Sequence, residues 1–208
     1  MKAYRTIAAV IAWAALVGQY WLMTKGQPPG EVLVRTVNFF SYFTILTNLL
    51  AALALTLPVL APDSVGRWWG RPAVRGGITV CIAVVMIVYH LVLRGIWEPQ
   101  GLQKVVDYTL HYVDPLLFIL DWLLFAPKGT LRWRNAIGWL AFPAVYGIWT
   151  LGHGALSGFY PYPFMDVTAL GYPAVLANMA AMVLGFLIPG LLLVGLDGLL
   201  GRSARQTA

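Results

Sequence analysis

The chain has 208 residues and a formal net charge of +6, with 60% hydrophobic and only 11% charged residues. A soluble domain carries about 25% charged residues, and a soluble core of this length has no room for six long apolar blocks, so an ordinary water-soluble domain is excluded. The basic residues cluster beside the apolar runs, where they set topology and meet anionic lipid; no nucleic-acid partner is expected.

The first apolar run, 4–24, has Lys2 just ahead of it and Arg5 at its start. It is longer than the core of a signal peptide and is read as a retained helix. GQPPG (26–30) breaks it. The second run covers 38–60 and ends at PVLAP, and a loop with Arg67, Arg71 and Arg75 follows. The third covers 76–93, the fourth 105–125 up to APKG, and the fifth 136–153. A loop rich in Tyr, Pro and Gly (157–173) leads to the sixth, 171–200, which is longer than one crossing needs and is expected to kink at Pro189. A crossing helix takes about 20 mostly apolar residues. Continuous apolar runs lack the alternation of a membrane barrel and suit helices, which satisfy their own backbone in lipid. The expected fold is all-α: a single polytopic domain over 1–208 with six transmembrane helices. Cys81, the only cysteine, lies inside an apolar run, which excludes an internal disulfide and suits a buried structural thiol.

Lysines and arginines set the orientation. Lys2, Arg5, Arg67, Arg71, Arg75, Lys128, Arg132, Arg134, Arg202 and Arg205 fall on one side, against Lys25, Arg35, Arg94 and Lys104 on the other. The positive-inside rule puts both termini in the cytoplasm. The expected location is a cell membrane, the inner membrane of a bacterium.

This orientation puts all three histidines, His90, His111 and His153, in the outer half of the bundle. Thr44 and His111 each lie six residues into their helices, about 9 Å down at 1.5 Å per residue. Thr44, Thr47 and Asn48 share one helix side, with Ser41 a turn above. On the fourth helix Asp107, His111 and Asp114 share a side, and Asp121 follows two turns below Asp114. An Asp in hydrocarbon almost always faces a bundle interior or a cavity. Ser and Thr in such helices often only bond a carbonyl one turn back, and Asn178 alone reads as helix glue. His90 and His153 alone read as interface residues. Asp121 could pair with Lys128 or Arg132, and Asp197 with Arg202. His111 with Asp114 three residues on is different: a hydroxyl within reach of that imidazole makes a nucleophile, a base and an orienter.

The segments FFSYFTILTNLL (39–50) and YTLHYVDPLLFILDWLLF (108–125), with six passes, resemble a group of prokaryotic six-helix membrane proteins. That group is similar to the animal androgen-induced and androgen-dependent TFPI-regulating proteins. The resemblance covers roughly residues 5 to 200. It implies hydrolysis of fatty acid esters of hydroxy fatty acids, with a Thr nucleophile and a His on another helix. The Thr context matches Tyr42, Phe43, Thr44 and Ile45, with Thr47 as rival one turn on, and the His matches His111. Asp114–Pro115 departs from the animal pattern.

The leading expectation is a membrane-embedded lipid ester hydrolase. Thr44 or Thr47 attacks, His111 is the base, Asp114 orients it, and Asn48 or Asn178 donates to the oxyanion, with His90 and His153 as further polar candidates. Its partner is a lipid or fatty-acyl ester, with membrane lipids around it; oligomeric state is left open. No cofactor and no metal is expected. Histidines on three separate helices lack ligand spacing, and no lysine lies mid-helix for a retinal Schiff base. A haem would require His90 and His153 to face one another. The alternatives are a proton-coupled transporter using Asp107, Asp114 and Asp121, and a non-catalytic lipid-binding or structural protein whose FYPYPF loop (159–164) caps the cavity.

Overall fold

The apolar runs fold as helices throughout. A computed structural model describes residues 1–206, and the side chains of residues 1–203. The side chain of Arg205, counted in the charge balance above, lies outside the described residues, as do residues 207 and 208. In chain order the helices are α1 (Lys2–Thr24), α2 (Pro29–Phe39), α3 (Phe43–Leu60), α4 (Val65–Trp69), α5 (Pro72–Val88), α6 (Gly101–Tyr108), α7 (Asp114–Phe125), α8 (Trp133–Gly138), α9 (Ala141–Ser157) and α10 (Val167–Gln206). A π turn, Tyr89–Leu93, extends α5, and a second, Thr109–Val113, joins α6 to α7. There is no strand among the described residues.

Four segments are long and apolar enough to cross a membrane: Lys2–Thr24, Phe43–Leu60, Pro72–Leu93 and Val167–Ser203. Their outward faces are apolar as well, with Val10, Leu60 and Leu192 among many exposed side chains. This surface suits lipid rather than water and suggests a membrane protein. The predicted fourth helix is present but divided by its π turn. The predicted fifth is split between α8 and the 17-residue α9.

α1 lies along α3, α3 along α5, and α5 along α7 and α10. The α1–α3 contact is built from Ala8, Ala9, Ala12 and Ala15 against Ala51, Ala52 and Ala54. Small side chains let two backbones approach closely where lipid gives no hydrophobic drive to association.

Two features of the helices and two side-chain pairings differ from expectation. The predicted helix 38–60 breaks at residues 40–42, where Tyr42 turns extended as the N-cap of α3. The turn is fastened to α9, since Tyr146 donates to the Ser41 carbonyl (2.9 Å) and Trp149 to the Ser41 hydroxyl (3.2 Å). Thr44 therefore sits in the first turn of a helix, not two turns down one. In α10 the non-helical residue is Gly171 (φ 75°) rather than the expected Pro189. Pro173 restricts Tyr172 just before it, and only glycine adopts that φ without strain. Asp121 reaches neither Lys128 nor Arg132. It is fully buried between Arg5 (2.7 Å) and Arg75. Asp197 accepts the backbone N–H groups of Thr130 and Leu131, both at 2.8 Å, in place of a pairing with Arg202.

Candidate functional site

Thr44 opens the site. The first N–H groups of a helix have no intrahelical acceptor. That of Thr44 donates to the Tyr162 hydroxyl at 3.2 Å. The same phenol lies 3.3 Å from Thr44 Oγ1, and His111 Nε2 lies 3.3 Å from Oγ1 on another side. Asn48 ties the two partners' helices together. Its amide donates to the Thr44 carbonyl (2.8 Å) and to the Leu110 carbonyl (3.1 Å), beside His111.

His111 sits on the π turn Thr109–Val113. Pro115 follows shortly and has no N–H for the carbonyl of His111, so regular α pairing fails here. Single π turns of this kind recur at functional sites. His111 Nδ1 is 2.9 Å from the Asp107 carbonyl and 3.2 Å from Asp107 Oδ1. Both are acceptors, so the network assigns the proton to Nδ1 and leaves the Nε2 lone pair aimed at the threonine hydroxyl. Tyr89, first residue of the other π turn, stacks on the imidazole with centroids 3.9 Å apart and donates its hydroxyl to Asp107. Thr44, Asp107 and Tyr89 are all buried.

Tyr162 comes from the loop between α9 and α10. Gly158, with φ 75°, ends α9 and turns the chain back. The ring of Tyr160 fills the space a side chain at Gly154 would take. Tyr162 stacks on Phe164 and meets Tyr42 edge-on. Burial raises the pKa of the Tyr162 phenol, which keeps it a hydrogen-bond donor.

Two cavities meet at Thr44, Tyr162 and Leu93. One, of about 400 Å³, is walled by α5, α9 and α10, and its lining is apolar apart from Thr44 and the phenols of Tyr146 and Tyr162. The other, of about 560 Å³, is lined by His111, Asp107, Tyr89, Gln19, Gln103 and Arg35 among others.

Of the residues singled out from sequence, Thr44, His111 and Asn48 come together. Thr47 is buried on the same helix, and its hydroxyl has no hydrogen-bond partner. Asp114 is also buried with neither oxygen bonded, and the contact with His111 belongs to Asp107 instead. The π turn between them adds a residue and rotates position 114 off the face it shares with His111 in a regular helix. Asn178 donates to the Phe164 carbonyl (2.9 Å) and so braces the Tyr162 loop. His90 is exposed beside Tyr112 and Arg94, while His153 meets Asn38 and Ser157. Neither contacts Thr44. Sequence reasoning named neither Tyr89 nor Tyr162; the only pointer was the aromatic, Pro-rich run FYPYPF. Of the acidic stripe, Asp107 is held by His111 and Tyr89, and Asp121 by two arginines. No family model, curated protein or solved structure matches the chain.

Proposed function

We propose that this protein is a membrane-embedded hydrolase of lipid esters. The observation that carries this reading is the line Thr44 Oγ1–His111 Nε2, with His111 Nδ1 held by Asp107. A hydroxyl, an imidazole in the basic tautomer and an acceptor behind it form the arrangement that activates an alcohol as nucleophile.

Thr44 Oγ attacks the ester carbonyl carbon and passes its proton to His111 Nε2. The carbonyl becomes an oxyanion, for which the Tyr162 hydroxyl and the Thr44 N–H are the nearest donors. The bond to the alcohol breaks, and His111 returns the proton to the departing oxygen. Water then attacks the threonyl ester, giving one proton to His111. Collapse frees the acid, and His111 reprotonates Thr44. Asp107 keeps the imidazole oriented throughout.

Hydrolysis of p-nitrophenyl butyrate by the purified protein in nanodiscs tests the reading. Thr44→Ala and His111→Ala lose at least about 10³-fold in kcat, and Thr47→Ala keeps its activity. Unchanged turnover in the first two variants sinks the proposal.

The topology belongs to the same reading: six crossings, counting 101–125 and 141–157, with both termini cytoplasmic. The lysine and arginine balance supports it. Single cysteines at Gln100 and Ser64 test it in whole cells, where a membrane-impermeant maleimide labels the first and spares the second. The reverse pattern inverts the topology.

A further inference from the structure

The two cavities are not equivalent with respect to the proton. His111 and Asp107 line the larger cavity and not the smaller one. An ester carbonyl at Thr44 has its alcohol on one side and its acyl chain on the other. The alcohol oxygen must receive the His111 proton, and the attacking water must deliver one to it. Both therefore occupy the larger cavity, whose lining includes Gln19, Gln103 and Arg35. The acyl chain is left the smaller cavity. This step rests on the hydrolase reading above.

The smaller cavity suits an alkyl chain by shape and by walls. Its lining runs from Ile148 on α9 back to Leu140, the residue that caps that helix, and from Met179 on to Phe186 on α10. Each stretch rises about 10–12 Å along its helix axis, the direction in which lipid chains lie. Val84, Val85 and Val88 of α5 close the back. The opposite wall is incomplete. Ile148 and Val183 both line the cavity, yet they are 73% and 48% exposed on the apolar outer surface. Ala144 and Ala180, also in the lining, are exposed beside them.

We propose that this cavity is an acyl-chain subsite that fills sideways from the bilayer, through the gap between α9 and α10. The substrate class is then a membrane-dissolved ester with an alkyl acyl chain, taken up tail first.

Ala144→Trp and Val183→Trp narrow the gap and leave the hydrogen-bonded set of Thr44, His111 and Tyr162 unsubstituted. In nanodiscs, kcat/KM is measured for p-nitrophenyl palmitate and p-nitrophenyl acetate with each variant. The ratio of palmitate to acetate falls at least about tenfold if the chain passes the gap, the discrimination expected when a hydrophobic subsite is blocked. An unchanged ratio overturns the proposal, since the chain then arrives by the larger cavity. A diazirine-bearing palmitate analogue gives a second readout that needs no turnover. Cross-links on Val84, Tyr146 or Phe186, all buried from the surrounding lipid, support the subsite even if no ester is hydrolysed, in which case only the hydrolase reading falls. Cross-links confined to lipid-facing residues such as Leu192 overturn the subsite itself.

Discussion

The ring of Tyr89 lies 16° from parallel with the imidazole of His111, and its hydroxyl donates to Asp107, the carboxylate 3.2 Å from His111 Nδ1. One tyrosine thus fixes both the plane of the imidazole and the carboxyl group behind it. The two residues belong to facing π turns, so the contact joins the two irregular points of α5 and the 101–125 helix.

That arrangement grades two substitutions. Tyr89→Phe keeps the stack and loses the hydroxyl, and kcat falls up to about tenfold, the net worth of one hydrogen bond. Asp107→Asn costs about 10- to 100-fold. This is milder than the roughly 10⁴ seen where a carboxylate alone holds the tautomer, because the Asp107 carbonyl, 2.9 Å from Nδ1, remains. Steady-state kinetics on a soluble butyrate ester check both. A loss near 10⁴ in Asp107→Asn would mean that the carbonyl does not hold the ring.

Tyr162→Phe removes the phenol from Thr44 and leaves the ring packed on Phe164 and Tyr42. Loss of one donor to a developing oxyanion costs about 10²-fold in kcat, with KM little changed. Equal losses in kcat for Tyr162→Phe and Tyr160→Phe would remove Tyr162 from the chemistry.

Asp121→Asn leaves Arg5 and Arg75 buried without their counter-charge. Removing one partner of a buried ion pair costs about 3–5 kcal/mol. The single buried thiol, Cys81, reports this directly: a thiol-reactive dye reads its exposure on heating, and the Asn variant unfolds at a much lower temperature. A melting curve matching the parent's would contradict the burial of the cluster.

Thr47→Val goes the other way. The Thr47 hydroxyl is buried with no partner, and an apolar group of the same shape spares that desolvation, worth about 1 kcal/mol or more. The same Cys81 assay gives a higher unfolding temperature, and ester turnover is retained. Loss of turnover here would move the nucleophile from Thr44 to Thr47.

What could be read from sequence divides along the range of the forces involved. Long apolar runs dictate helices wherever lipid is the solvent, because each helix closes its own hydrogen bonds. Thr44 and His111 stood out as a hydroxyl and an imidazole at equal depth in the second and fourth apolar runs, and as the positions that the family resemblance implies. The break at residues 40–42 was not legible, because apolarity runs straight through it; Tyr146 and Trp149, more than a hundred positions away, hold the turn. The choice between Asp107 and Asp114 was hidden for a related reason. In a regular helix both share a side with His111, and only the π turn separates them. Tyr162 depends on how a loop folds back, which is decided by Gly158, Tyr160 and Asn178 acting together.

The π turn at 109–113 carries one residue more than the helical turn it replaces. Excising a single position there would let the helix run straight, turning everything on one side by about 100° relative to the other. His111 would swing away from Thr44, or Asp107 would swing away from His111. Length within this five-residue window therefore matters more to chemistry than the identity of its apolar members. On the proposed hydrolase reading, a chain shortened by one position here loses ester turnover even if every side chain of the site is kept.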